Sequence, residues 1–423
     1  MIFKKTLTLS HLTIALFAAG ICSTGPLPTV TAQDRSNPEQ KSDRDLRFEE
    51  QKKDLDELTT LLGGIAKEWD RKYGSVEALR AQVAKGDAKA MGMLGNRYHN
   101  GEGVQKDAVA GVQWYTRAAE KNFIPAVRNL GTCYKNGWGV AKDHAKAREL
   151  YKRAVDGDDT HAMIQLAGMW LRGDGGTKNL TETFLLMRRA AHAGNEEAFR
   201  ELAWCYKRGL GVIQNYDQSK TWFRKAAEAK EPCTSSMFQL GTMARDAIGS
   251  ERDQSEALKW FIKASELKHK PSTVAASNIL MGQKRYSDAL KYLKRAVSLG
   301  EKSAYMSIAS IYSSGALGQV NDAEANKWVN SGIEAGVDDC MVHRATQMLL
   351  KSKRNPNPAA IDLLSQAIDA GNPSAMEAMG LIYELGLVGK NPSKRIALSW
   401  FRKASENGDE SAKERLKKLE MGK

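Results

Sequence analysis

The chain has 423 residues, 42% hydrophobic and 27% charged with only 10 prolines, a balance that excludes collagen and wholesale disorder. That length exceeds one ordinary core and suits several domains or a repeat array. A formal charge of +13 would point to nucleic acid in the cytosol, and to acidic proteins, anionic cell-wall polymers or lipid headgroups outside it. Solubility alone is the plainer account of the charge.

The first residues point to export. Lys4 and Lys5 precede an apolar run, "LTIALFAAGIC" from Leu12 to Cys22, and Gly25, Pro26 and Pro28 then break it. The run is well short of the ~20 apolar residues of a spanning helix. Ile21 stands before Cys22, where a lipoprotein signal needs a small residue, and Val30-Thr31-Ala32 offers an ordinary cleavage site. Residues 1–32 are therefore expected to be a cleaved secretory signal, with an uncleaved anchor as the alternative. The expected address is the periplasm, the cell envelope or the medium, with no nucleic-acid partner and no transmembrane span once the signal is gone.

Residues 33–45 read as a polar linker and 46–74 as an N-terminal helix. In that helix Leu55, Leu58, Leu62, Ile65 and Trp69 step 3-4-3-4, an apolar seam interrupted by Gly63-Gly64 and suited to packing on the first repeat. Ser75 to Lys85 reads as a lone helix covering the start of an array, which runs over 75–409. The array shows itself by period. Gly95, Gly131, Ala167 and Ala203 are 36 apart, and Gly241 comes 38 later. A small-residue pair recurs at Ala118, Ala154, Ala190, Ala226, Ala264, Ala296, Gly332, Ala367 and Ala404, which makes nine repeats. Periods in the thirties with small residues at fixed places mark a helical solenoid.

Within a repeat, Leu94, Gly95 and Tyr98 fall on one face of a first helix, and the small residue admits a close neighbour. The loop "YHNGEGVQKD" at 98–107 resembles a phosphate cradle, but it returns as "YKNGWGVAKD" at Tyr134 and "YKRGLGVIQN" at Tyr206. Gly101 suits the left-handed end of a helix and Gly103 a tight reversal. The second helix then starts at Asp107, Asp143, Asn179, Asn215, Asp253, Arg285, Asn321, Pro356 and Ser393, seven of them N-cap types. A capping side chain fills the site that a phosphate would take, so the loop is a hairpin turn.

Residues 90–119 carry Ala90, Leu94, Gly95, Tyr98, Gly101, Gly103, Val104, Asp107, Trp114, Tyr115, Ala118 and Ala119. This pattern closely resembles the Sel-1-like repeat, a relative of the tetratricopeptide repeat. The match is strong in repeats one, two, four and nine. Repeat three puts Leu186 and Met187 in place of the aromatics, repeat five lacks the loop glycines, and repeats six and eight are degenerate. The resemblance implies an all-α fold, a right-handed superhelical solenoid of helix-turn-helix repeats whose first helices line a concave face. It also implies protein–protein scaffolding without catalysis. Residues 410–423, with Ala412, Leu416 and Leu419 on one face, suit a capping helix.

Phrases such as "WYTRAA" at Trp114 and "WFRKAA" at Trp222 place tryptophans at a fixed register, which core packing explains better than a sugar-binding ladder. A basic residue precedes the small pair in seven repeats, among them Arg117, Arg153, Arg189 and Lys225; compensation of the helix dipole accounts for it. Seven scattered histidines show no metal-ligand spacing, and neither metal, cofactor nor catalytic set is expected. Cys133 and Cys205 occupy equivalent positions two periods apart, too far for a disulfide; four free, mostly buried thiols are expected after signal removal.

In the repeat that the chain resembles, three first-helix positions face the groove. Here they give Arg128, Thr132 and Lys135 in repeat two and Arg200, Trp204 and Lys207 in repeat four, with His99 added by repeat one. Basic residues around one tryptophan suit an acidic protein segment with an apolar anchor; a solvated face is the alternative. An envelope polysaccharide is the second candidate ligand. If the signal reading holds, N-terminal sequencing of the purified envelope-fraction protein begins at Gln33; a mature chain still carrying Lys4 and Lys5 contradicts it.

Overall fold

The computed structural model describes residue 68 and residues 71–351, 358–387 and 392–420. The signal, the linker and nearly all of the 46–74 helix lie outside the described residues. Twenty helices succeed one another within them, with no strand. A lone helix leads, α1 (Val76–Ala84), capped by the Ser75 hydroxyl as expected for a helix covering the first repeat. Nine hairpins come after it: α2 (Ala88–Asn100) with α3 (Ala108–Glu120), α4 (Ile124–Asn136) with α5 (His144–Asp156), and α6 (Thr160–Arg172) with α7 (Leu180–His192). Next are α8 (Glu196–Arg208) with α9 (Tyr216–Ala227), α10 (Thr234–Arg245) with α11 (Gln254–Glu266), and α12 (Lys270–Gly282) with α13 (Tyr286–Ser298). The last are α14 (Ala304–Ser313) with α15 (Asp322–Glu334), α16 (Asp338–Lys351) with α17 (Pro358–Asp369), and α18 (Pro373–Leu385) with α19 (Lys394–Glu406). A final helix, α20 (Glu410–Glu420), buries Ala412 against α19. No helix among the described residues is long and apolar enough to cross a membrane. The chain divides into two compact units, Met1–Asn195 and Glu196–Lys423.

Hairpins one, five and nine are each closed by an aromatic ring set on a position without a side chain: a Cβ added to Gly95 would lie 2.6 Å from Tyr115, and the same holds for Gly241 under Phe261 and Gly380 under Phe401. The close neighbour foreseen for this small residue is therefore a ring of its own hairpin. Tyr151, Phe223, Phe261 and Phe401 are fully buried at this position, each burial stabilising the fold by roughly 1.5–3 kcal/mol.

The loop works in two steps. Gly101 ends α2 in the left-handed region (φ 79°) with its N–H on Arg97 O. The next glycine serves the neighbouring hairpin: a Cβ on Gly139 would come within 2.2 Å of the Ala108 carbonyl oxygen, at the start of α3. Gly175 meets His144 O in the same way, at 2.3 Å. Repeat five corrects the expectation that it departs at both loop glycines. Ala247 takes the left-handed turn (φ 58°), while Gly249 keeps the second place, where a Cβ would lie 2.2 Å from Tyr216 Cβ. Stacking tolerates no side chain there, whereas a left-handed turn tolerates alanine at a modest energy.

All seven expected caps form. Asp107, Asp143, Asn179, Asn215, Asp253, Asn321 and Ser393 each accept the backbone N–H three residues on. The degenerate sixth repeat keeps a regular hairpin. Its step of 32 arises because residues 283–285 join its helices where repeat one uses 101–107. The loop has been deleted and the helices remain. In repeat eight the joining residues 352–357 lie outside the described set.

A glycine pressed on a neighbouring hairpin and one in open space, such as Gly194 between α7 and α8, should differ in what they tolerate. Gly139→Ala should lower the urea-unfolding free energy by about 2 kcal/mol or more, because backbone must move to admit the methyl group. Gly194→Ala, at a positive φ with nothing within 4 Å, should lose only about 1 kcal/mol. Equal losses would show that stacking does not require the bare position.

Candidate functional site

First helices of successive hairpins lie side by side within each compact unit and are laced by polar side chains. In the first unit, Asn129 donates to Asn96 at 3.0 Å, linking α4 to α2. Arg128 pairs with Asp159 at 3.2 Å, and Asp159 also caps α6 through the Ala162 N–H. Lys135 donates to Gln165 Oε1 at 2.7 Å. In the second unit, Lys207 of α8 donates to Gln239 Oε1 of α10 at 2.9 Å. The row of first helices in each unit is thus a surface held in register by contacts roughly one repeat apart.

The seven face residues differ in what they leave available. Thr132 gives nothing outward, since its hydroxyl lies 3.2 Å from Arg128 O and 2.9 Å from the Tyr151 hydroxyl. Arg128 is committed to Asp159, and Arg200 to Glu201 at 2.6 Å. Trp204 is half-buried, with its ring edge-on to Phe223 at 5.6 Å and the Lys207 and Arg208 cations 5.0 and 4.4 Å from its centre. Its apolar body and cationic surround are those of a binding anchor. Burial, and then the nearby Arg172, hold the Lys135 ammonium below its usual pKa; burial and Arg208 do the same at Lys207.

His99 stacks at 5.2 Å on Trp138, and its Nδ1 is buried without a hydrogen-bond partner. Trp138 is 46% exposed and belongs to the same surface region, although no groove position named it. Its signal was in the loop: the middle residue of the G-x-G phrase is Trp138 where other repeats carry Glu102, Asp174 and Leu210.

The second helices answer the question of the tryptophan register. Trp222 and Trp260 are only 6% and 7% exposed, so they are core residues. The basic residue three positions on lies over the ring: Arg117 over Trp114, Lys225 over Trp222, Lys263 over Trp260 and Lys403 over Trp400, at 4.2–4.8 Å. Where leucine replaces the tryptophan, the basic residue reaches back instead. Arg153 donates to Ala119 O and Arg189 to Val155 O, at the ends of the preceding second helices. Dipole compensation is thus the role of these two, exerted across repeats, while Arg117, Lys225, Lys263 and Lys403 cover a ring.

Cys133, Cys205 and Cys340 are buried and free, and burial pushes their thiols up to about 11, about 12 and about 11 respectively. Cys233 stands at the start of α10, and burial alone would push its thiol up as well. The hydroxyls of Ser235 and Ser236, the Ser236 amide and the Arg200 charge outweigh that and hold it below its ordinary value. Brief alkylation of the native protein should therefore modify Cys233 and leave the other three until denaturant is added. Reaction of Cys133 or Cys205 as fast as Cys233 would contradict this placement.

A family model described as Sel1 repeat matches residues 88–123, 124–159, 160–195, 197–230, 234–269, 280–301 and 373–409. Among solved structures, a protective antigen present in uropathogenic Escherichia coli strains displaying an SLR fold is 28% identical. That match covers 82% of this chain and 75% of that one, with a TM-score of 0.63. A Sel1 repeat protein from Oxalobacter formigenes is 24% identical over 65% of this chain and 95% of that one, with a TM-score of 0.44. A comparison with curated proteins returned no match. The family model accounts for more than half of the residues, and the chain belongs to the Sel1 repeat family.

Proposed function

We propose that the protein is exported and works as a scaffold, holding a protein partner on the face built by its first helices and acting by recognition rather than by chemistry. The observation that carries this reading is the face itself. Within each unit successive first helices are laced into one register, and on the second unit's row Trp204 is half-exposed between cations. Such a surface suits an acidic segment with an apolar side chain, because Trp anchors and charge complementarity combine affinity with specificity. The family's helical-repeat fold, shared with tetratricopeptide-like proteins, is one of interaction scaffolds. Export rests on the basic start and short apolar run before Ala32. The description of one structural relative as a protective antigen accords with such an address.

Photo-crosslinking in host cells tests the surface. A benzophenone side chain placed at position 204 or 99 should give a discrete protein adduct, and one at exposed Glu149 on the second helix α5 should give none. Adducts confined to the second-helix side, or none from position 204, would contradict the reading.

A further inference from the structure

The last turn of α8 holds two adjacent cations, Lys207 and Arg208, both close to Trp204 of the same helix. The equivalent residues of α10, the next first helix of the same compact unit, are Arg245 and Asp246. The register is set by the small residue, Ala203 or Gly241: Lys207 and Arg245 stand four residues after it, and Arg208 and Asp246 five. In α10 the pair neutralises itself, with Arg245 Nε on Asp246 Oδ1 at 2.7 Å and Nη2 on Oδ2 at 2.9 Å. In α8 a second cation stands where α10 has the carboxylate.

Neither cation of α8 is ion-paired among the described residues. Lys207 is half-buried, and its ammonium donates to a neutral amide, Gln239 Oε1, at 2.9 Å. Two charges bear on that ammonium, the adjacent Arg208 and, opposing it, Asp246. Asp246 is already bonded to Arg245, and Arg252 adds to the same positive surround, its Nε on Arg245 O at 2.9 Å. Glu201 holds Arg200, Asp253 caps α11, and exposed Glu251 makes no ion pair among the described residues. Arg208 is exposed, with its guanidinium carbon 4.4 Å from the centre of the Trp204 ring. A guanidinium resting on a ring keeps its planar N–H fork in one orientation, and the exposure of Arg208 leaves that fork open to a ligand.

Resting on the scaffold reading above, we propose that Arg208, set on Trp204 and backed by Lys207, is the position that binds a carboxylate of an acidic partner segment. The bond is the one that α10 makes within itself: two parallel N–H···O contacts, with the partner's carboxylate in the place of Asp246. A large apolar side chain next to that carboxylate meets Trp204. One free planar fork suits one planar carboxylate. A phosphate dianion gathers several unmatched cations, and here the neighbouring Arg200 and Arg245 are already paired. Lys207, held by Gln239, adds charge at close range.

The test uses a labelled, terminally blocked peptide with glutamates on both sides of a central leucine, with its glutamine and phosphoserine counterparts, read by fluorescence anisotropy at low salt. Wild type should prefer the glutamate peptide to the glutamine one. Arg208→Gln should weaken it by about tenfold, as for loss of one charge-assisted pair, and Arg208→Lys by about threefold, since the charge stays and the fork goes. Lys259→Gln, at an exposed lysine of α11, should stay within about twofold. Phenylglyoxal labelling read by mass spectrometry supplies a measurement without substitution. The glutamate peptide should protect Arg208 and leave unchanged Arg188, another exposed arginine beside a ring. If wild type distinguishes the two peptides and Arg208→Gln binds like wild type, the Arg208 assignment is overturned and the acidic-segment reading stands. If wild type does not distinguish glutamate from glutamine, both are overturned. A phosphoserine peptide bound more than about tenfold tighter than the glutamate one overturns the choice of carboxylate.

Discussion

The contact on which the architecture depends is an aromatic ring of the second helix resting on a first-helix position that lacks a Cβ, as hairpins one, five and nine show it. Tyr115 on Gly95, Phe261 on Gly241 and Phe401 on Gly380 repeat one geometry. Such a ring fixes how closely and at what rotation the two helices meet, since a methyl group at the glycine would overlap it. Once the hairpin is rigid, stacking needs only a second bare position, supplied by Gly139 against Ala108 and by Gly175 against His144. Where both positions are glycine they set two distances, one within the hairpin and one between hairpins. Stability in such an array is close to a sum of local and nearest-neighbour terms.

The face is a consequence of those distances. With hairpins held in register, a residue near the end of one first helix meets a residue in the middle of the next, as Lys135 meets Gln165 and Lys207 meets Gln239. The second helices use the same logic for a different end. Their basic residues lie over a tryptophan where one exists, and clamp the preceding helix terminus where leucine stands instead. Positive charge at these second-helix positions is thus spent on packing.

Period, caps and hairpins were legible because each depends on residues within one repeat. Helical spacing placed Arg128, Thr132 and Lys135 on one face, and the capping positions were fixed by side-chain type alone. Which face residues remain available was not legible. The acid that neutralises Arg128 lies 31 residues away at Asp159, and a helical wheel carries no information across repeats. The same limit hid the ring-covering role of Lys225 and the clamp made by Arg153. Repeat five was misread for another reason: Ala247 at the first loop position obscured Gly249, although only the second position is sterically strict.

The most direct measurement is a structure of the chain bound to a partner captured at position 204. The account predicts an apolar partner side chain on the Trp204 ring, with partner carboxylates beside the Lys207 and Arg208 cations that flank it. A partner seated on the second helices, with Trp204 still facing water, would contradict it.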